Sequence, residues 1–343
     1  MLAAIGFLSI QLALGAGSQY VIGAQGKSCY ETCHAHAMNC NPHIVTNDSL
    51  ALFQSLGINC NPNPKPWWAE DQPSYVSDPS DPNYQECLGY TTVPGGVLCG
   101  AYYPTTSRLC LCDDPNSSSK SAAFGTGLSS GSVTQEEQII FDWILPAGVT
   151  HGVMTHFWAT AASGVIESTV VRYYVDDEET ASIQFLPPLA CGTLSTETKA
   201  PWGTKWFGKG AKDGSWFLNF RIPFQKSIRV SVQNTMGSYG GFYIIVRGAP
   251  QLPIEIGGVL VPSNAKLLLQ RYEQVTQPLE WVPVANVPSG SGLFFMHTLA
   301  VTSNNLNFLE GCYHQYSPYN QPFPGTILST GTEDYFDSGW YFD

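Results

Sequence analysis

The sequence predicts a mainly β protein: a β-sandwich or jelly-roll domain preceded by a small disulfide-rich module. Three observations carry this. Charged residues make up only 12% of the chain, while aromatics reach 13% and Gly and Pro number 33 and 24. That balance favours pleated sheets joined by turns over helical bundles. Beyond residue 133, apolar and polar residues alternate with a period of two, the mark of half-buried strands. Finally, most of the ten cysteines fall between Cys29 and Cys112, a density suited to a crosslinked module in an oxidising compartment.

Residues 1–18 read as a signal peptide. The stretch from Met1 to about Ala16 is apolar and ends in small residues, Ala13-Leu14-Gly15 and Ala16-Gly17-Ser18. No Lys or Arg precedes it, and it is shorter than the ~20 residues a membrane span needs. No other apolar run is long enough to cross a bilayer, so no span is expected beyond this segment.

Residues 26–113 hold Cys29, Cys33, Cys40, Cys60, Cys87, Cys99, Cys110 and Cys112. An even set behind a signal segment reads as four disulfides, and the spacing leaves the pairing open. The string Cys29-x3-Cys33-His34-x-His36-x3-Cys40 offers zinc-ligand chemistry, but its spacing fits no common zinc finger. The two histidines are instead expected on the surface of a short helix, and no metal or cofactor is expected. Asp48 is placed to cap a helix carrying Leu52, Phe53 and Leu56. Asn47-Asp48-Ser49 and Asn116-Ser117-Ser118 are N-glycosylation sequons. Residues 114–132, rich in Ser, Gly and Asn, read as a flexible linker.

From residue 133 to 343 the pattern is β. Trp216, Leu218, Phe220, Ile222 and Phe224 alternate with Phe217, Asn219 and Arg221. Ile228, Val230 and Val232 alternate in the same way with Arg229, Ser231 and Gln233. Ser168–Val175, Gly241–Val246 and Gly292–Val301 read as further strands. Many strands with few helices between them argue for a sandwich or jelly roll. Cys191 and Cys312 are expected either to pair or to stay buried as thiols.

The net charge of −12 argues against nucleic acid, since no basic patch is available to neutralise phosphates. No Lys/Arg run suits an anionic membrane surface. No Gly-rich phosphate turn opens a helix, and no Ser/His/Asp set with a nucleophile elbow occurs. The carboxylates of Thr330-Gly331-Thr332-Glu333-Asp334-Tyr335-Phe336 are different in kind. They sit beside Gly331, where backbone can approach a ligand closely, and ahead of Trp340 and Tyr341. Aromatic faces next to acids suit a sugar ring. If the segment is extended, Glu333 and Asp334 point to opposite faces, so one of them enters a given pocket.

The string Gly-Thr-Glu-Asp-Tyr-Phe, with Phe308-Leu309-Glu310-Gly311-Cys312 and Thr326-Ile327-Leu328-Ser329 before it, resembles glycoside hydrolase family 172. Support extends over residues 131–343. His156-Phe157-Trp158-Ala159-Thr160 looks like an early strand of that family, Arg172 to Glu179 like its strand with an acidic turn, and Asn219 to Phe224 like its segment ending in Pro-Phe. The resemblance implies a jelly roll similar to viral capsids, homotrimers or multiples of them, and retaining cleavage of fructofuranosides or arabinofuranosides. It makes Glu333 the nucleophile and Glu310 the other carboxylate shared with the family motif; read from the residues themselves, Asp334, Tyr335, Trp340, His156 and Trp158 are further candidates to bind the carbohydrate. It places the acid/base Glu beyond Asp343, so the domain is expected to be truncated. Where that family has an Asp-Phe-Phe-Gly-like segment, this chain reads Pro187-Pro188-Leu189-Ala190-Cys191-Gly192, which puts substrate identity in question.

Residues 26–113, closing on Arg108-Leu109-Cys110-Leu111-Cys112-Asp113, are similar to the cysteine-rich C-terminal segment of the N-acetylglucosaminyltransferase V enzymes of glycosyltransferase family 18. The nucleotide-sugar domain of those enzymes has no counterpart here. Three functions follow as expectations: a secreted furanoside hydrolase, a non-catalytic carbohydrate-binding or matrix protein, and a transferase-related protein acting through its N-terminal module.

Overall fold

The computed structural model describes residues 17–41, 49–62, 69, 71–89, 98–115, 123–126, 129–193, 199–210, 214–237, 240–256, 258–269, 271, 273–278, 280–284, 292–299, 301–311, 314–315, 322, 325, 327–328 and 330–336. The signal segment up to residue 16, the sequons at Asn47 and Asn116, and Cys312 and Trp340 lie outside them. The chain forms two compact units, Met1–Thr298 and Leu299–Asp343. It is mainly β, with antiparallel sheets.

The cysteine-rich module opens with β1 (Ser18–Ile22) and α1 (Cys29–Ala35). Ser28 and Glu31 start the helix as a capping box: the Ser28 hydroxyl accepts from the Glu31 amide, and the Ser28 amide donates to Glu31 Oε2 at 2.9 Å. Then come β2 (Asn39–Cys40), α2 (Ser49–Ser55), β3 (Asn61–Pro62), β4 (Ser74–Val76), β5 (Glu86–Leu88) and β6 (Thr106–Asp113). Leu52 and Phe53 are buried on α2 as expected, while Leu56 falls past its end and is exposed; Asp48 lies outside the described residues.

β6 is the spine of the module, pairing antiparallel with β1, β2 and β4. Two disulfides, Cys29–Cys110 and Cys33–Cys112, rivet α1 to it. Residues four apart on a helix and two apart on a strand each share a face, so the bridges lie side by side. Cys40–Cys99 and Cys60–Cys87 complete the four. With these cysteines oxidised, the zinc alternative loses its thiolates.

The rest of the first unit contains β7 (Phe124–Gly125), β8 (Ser129–Ser132), β9 (Gln138–Ile144), β10 (Gly152–Ala161), α3 (Ser163–Ser168), β11 (Thr169–Val175), β12 (Ile183–Phe185) and α4 (Pro187–Ala190). β13 (Trp202–Gly203), β14 (Phe207–Lys209), β15 (Trp216–Leu218), β16 (Ile222–Phe224), β17 (Ser227–Asn234) and β18 (Gly241–Pro250) follow. One sheet runs β13-β14-β15-β10-β18-β7, with β16 also on β10 and β8 also on β18; the other runs β12-β11-β17-β9. Both contribute to one core. Phe157, Ala159, Trp216, Ile244 and Val246 come from the first sheet, and Phe141, Val171, Tyr173, Ile228 and Val230 from the second. Burying such aliphatic and aromatic side chains yields roughly 1.5–3 kcal/mol each.

Three expectations change here. The segment read as a linker over 114–132 contributes strands β7 and β8, both antiparallel to β18. Its small residues suit close backbone approach: a Cβ on Gly125 would stand 2.2 Å from the Val246 carbonyl oxygen. The alternation from Trp216 to Phe224 is not one strand. β15 and β16 both pair with β10, and three residues, Asn219 to Arg221, oppose two on β10. That irregularity breaks the ladder and frees polar side chains for other work. Finally, Gly292–Val301 forms no strand among its described residues. Leu293, Phe294, Leu299 and Val301 are exposed, and a strand-like sequence without a partner strand gains no ladder bonds.

The module and the sandwich belong to one unit. α1 lies against β9, with Tyr30 edge-on to Phe141 at 6.1 Å. Asn39 donates its Nδ2 to the Ile144 carbonyl at 3.1 Å and accepts the Ile144 amide on Oδ1 at 2.8 Å. Among the described residues no helix is long and apolar enough to cross a membrane.

Candidate functional site

The Glu333 region lies in the short second unit. A 3-10 helix, Asn307–Glu310, leads to Gly311. β19 (His314–Gln315) then pairs antiparallel with β20 (Ile327–Leu328). This hairpin returns the chain to α5 (Thr332–Tyr335), which packs beside the 3-10 helix. Thr332 fastens the two: its hydroxyl donates to the Gly311 carbonyl at 2.9 Å. Thr and Gly therefore flank the acid for a mechanical reason, since one ties the new turn down and the other lets it close.

Gly331 is buried, and a Cβ built on it would stand 2.8 Å from the Leu309 carbonyl oxygen and 2.8 Å from Glu333 Oε2. Only a residue without a side chain permits that approach. Glu333 itself is 8% exposed. Its Oε2 is buried and accepts no hydrogen bond among the described residues. A buried carboxylate oxygen left without a donor is costly, so its partner is an ordered water, a ligand or another functional group.

The segment is not extended: Glu333 and Asp334 lie in one helical turn, where successive residues are separated by about 100°. The side chains of Asp334 and Tyr335 lie outside the described residues. Glu310 ends the neighbouring 3-10 helix and is exposed.

His156 and Trp158 belong to the first unit. A bulge between Met154 and His156 resets the alternation of β10. Phe157, Ala159 and Ala161 are thereby buried, while His156, Trp158 and Thr160 stand on the opposite, half-buried face. His156 Nδ1 and Asn219 Oδ1 are 2.8 Å apart; Asn219 also donates to the Lys205 carbonyl at 2.8 Å. Trp158 is flanked in register by Phe217 on β15 and Ile245 on β18. The result is an aromatic strip with a hydrogen-bonded imidazole at its end. The sequence alone does not mark Asn219 as a site residue; its place opposite the β10 irregularity is what recruits it.

Other polar and aromatic side chains of the first unit make local contacts. Arg172 donates to Gln184 Oε1 at 2.9 Å, and Trp206 packs edge-on to Phe295 at 5.2 Å with Lys205 Nζ 5.0 Å from its ring. Asp176 and Asp177 adopt positive φ, and Asp176 Oδ1 accepts the amides of Gln225 and Lys226 at 2.6 and 2.7 Å. They clamp a turn. Cys191, on the turn that ends α4, is a buried free thiol whose Sγ lies 3.4 Å from the Phe217 carbonyl oxygen. Burial pushes this thiol up to about 12, so it has little thiolate character. Among the described residues no group of three His, Cys, Asp or Glu side chains is placed to hold a metal ion.

No protein-family model matches this chain, and no curated protein matches it in sequence.

Proposed function

We propose that this chain is a secreted glycoside hydrolase-like protein that cleaves furanosides with retention, using Glu333 as nucleophile. The observation that carries the reading is the buried Glu333 carboxylate, closely flanked by Gly331 and lacking a donor on Oε2 among the described residues. A retaining mechanism needs one carboxylate to attack the anomeric carbon and a second carboxyl about 5–5.5 Å away to protonate the departing oxygen. Glu333 takes the first role in this proposal. The resemblance of its motif to glycoside hydrolase family 172 supports the substrate class, the jelly-roll wiring of the sandwich and a homotrimeric assembly. The four disulfides support passage through an oxidising compartment, where Asn47 and Asn116 would carry glycans.

A second reading rests on a separate observation. Trp158, Phe217 and the His156–Asn219 pair form an aromatic strip with polar hydrogen-bonding groups, a combination that suits a sugar ring without any chemistry. This favours a non-catalytic carbohydrate-binding protein.

The two are separated with the full-length protein, wild type beside Glu333→Gln, on aryl α- and β-arabinofuranosides and fructofuranosides. Turnover by wild type and a loss of about 10³-fold or more in the variant supports the hydrolase, since Gln keeps the shape and removes the nucleophilic charge. No turnover by either, with glycan binding abolished by Trp158→Ala, supports the binder.

A further inference from the structure

We infer that the disulfide module is held on the β9 sheet by a proton-dependent latch, in which protonated His34 of α1 pairs with the buried Asp142 of β9 and tightens the junction as the pH falls to mildly acidic values. The geometry is that of a carboxylate with one permanent and one conditional cation. The Asp142 side chain is 2% exposed. Its Oδ2 lies 3.2 Å from Arg229 Nε on β17, and its Oδ1 lies 3.2 Å from His34 Nδ1. A guanidinium keeps its charge in proteins, so this partner is permanent. Oδ1 has no aligned hydrogen-bond donor among the described residues, so its nearest compensation is the ring across the junction. A buried carboxylate is stabilised far more strongly by such a partner while the ring carries its charge.

Among the described residues, the other ionisable groups around His34 are few. Asp142 raises its tendency to hold a proton, partial burial and Arg229 oppose this, Asp177 adds a smaller raise, and the net movement is upward from 6.5. Tyr30, also on α1, is buried, and its phenol is pushed up by that burial and by Asp142; it stays neutral throughout. Tyr174 has the Arg229 guanidinium 5.9 Å from its ring centroid, and burial raises it too. A histidine that holds its proton more firmly when folded contributes stability that is complete below the unfolded value. That contribution is lost as the pH rises through the higher, folded value.

The latch lies where the module meets the sheet edge, beside the reciprocal Asn39–Ile144 bonds. The same junction bounds a cleft of ≈ 190 Å³ lined by Lys27, Glu31 and Tyr102 from the module and by Glu136, Glu137 and Ile139 from the sandwich. Protonation of His34 therefore sets how firmly these walls are held together.

The test is hydrogen exchange of the Ile144 amide in the full-length protein, corrected for intrinsic rate. That amide bonds across the junction, to Asn39. The Tyr30 amide, bonded to the Cys99 carbonyl within the module, is the control. Ile144 should be protected about threefold or more better near pH ~5.5 than near pH ~8.5, the scale of a half-exposed ion pair, with no such change at Tyr30. His34→Gln should remove the difference. Equal protection of Ile144 across that range in wild type, or an unchanged pH dependence in His34→Gln, overturns the latch. Should the variant not fold, the wild-type His34 ring is titrated by NMR, and a midpoint at or below 6.5 overturns it as well.

Discussion

Glu333 Oε2 lies 2.8 Å from the point a Cβ on Gly331 would occupy, and that same point is 2.8 Å from the Leu309 carbonyl oxygen. The acid of the Gly-Thr-Glu-Asp motif is thus seated by the absence of a side chain two residues earlier, and by Thr332 holding the turn to Gly311. The spacing of the motif has a steric cause, whatever ligand Glu333 meets.

Gly331→Ala should therefore damage the site without touching the acid. The added methyl faces a backbone oxygen that cannot rotate away, so the cost should fall in the overpacking range of about 1–3 kcal/mol. Limited proteolysis of residues 299–343 should accelerate, and furanosidase turnover should fall together with it. A Gly331→Ala protein as protease-resistant and as active as wild type would show that the close approach is not needed.

Asn39→Ala should loosen the module from the sandwich. It removes both partners of Ile144 at once and leaves the Ile144 carbonyl and amide inside the junction. The expected cost is about 1–3 kcal/mol, read as a lower thermal midpoint. Asn39→Asp keeps the acceptor for the Ile144 amide and loses the donor, so it should recover part of the loss.

The two bridges between α1 and β6 should act as a pair. Each closes a long loop, with sequence separations of 81 and 79 residues. Replacing Cys33 and Cys112 by Ser should cost about 2–5 kcal/mol, yet the neighbouring Cys29–Cys110 bridge should keep α1 on β6. Denaturant midpoints of the single and double removals should be strongly non-additive. The first removal should cost the less, because the surviving bridge already restricts nearly the same loop.

Legibility from sequence differs by element, and for physical reasons. The strands around Val230 and Ile244 announce themselves, because one face of each is buried and the period of two survives. The crosslinked module is equally plain, but its pairing is not, since it depends on α1 lying along β6. β7 and β8 are hidden in a Gly/Ser-rich stretch: their contribution is backbone pairing and close approach, which leaves no apolar pattern beyond Phe124. Gly331 is recognisable as a place of close approach. The helical turn at Glu333 is not, because four residues offer too little periodicity to separate helix from strand. The His34–Asp142–Arg229 cluster joins residues far apart in the chain, and nothing local marks it.

The most direct test of Glu333 as nucleophile is to trap the intermediate. Full-length protein is incubated with aryl furanosides that carry a good leaving group and a fluorine on the ring carbon next to the anomeric centre (C2 of an arabinofuranoside, C3 of a fructofuranoside), which slows hydrolysis of the glycosyl-enzyme more than its formation. Intact mass and peptide mapping then locate the label. With Glu333 as nucleophile, the protein gains the mass of one fluorofuranosyl group per chain, on the peptide containing Glu333, and Glu333→Gln gains none. A label on another carboxylate, or unmodified protein after exposure to each of the arabinosyl and fructosyl reagents, would contradict it.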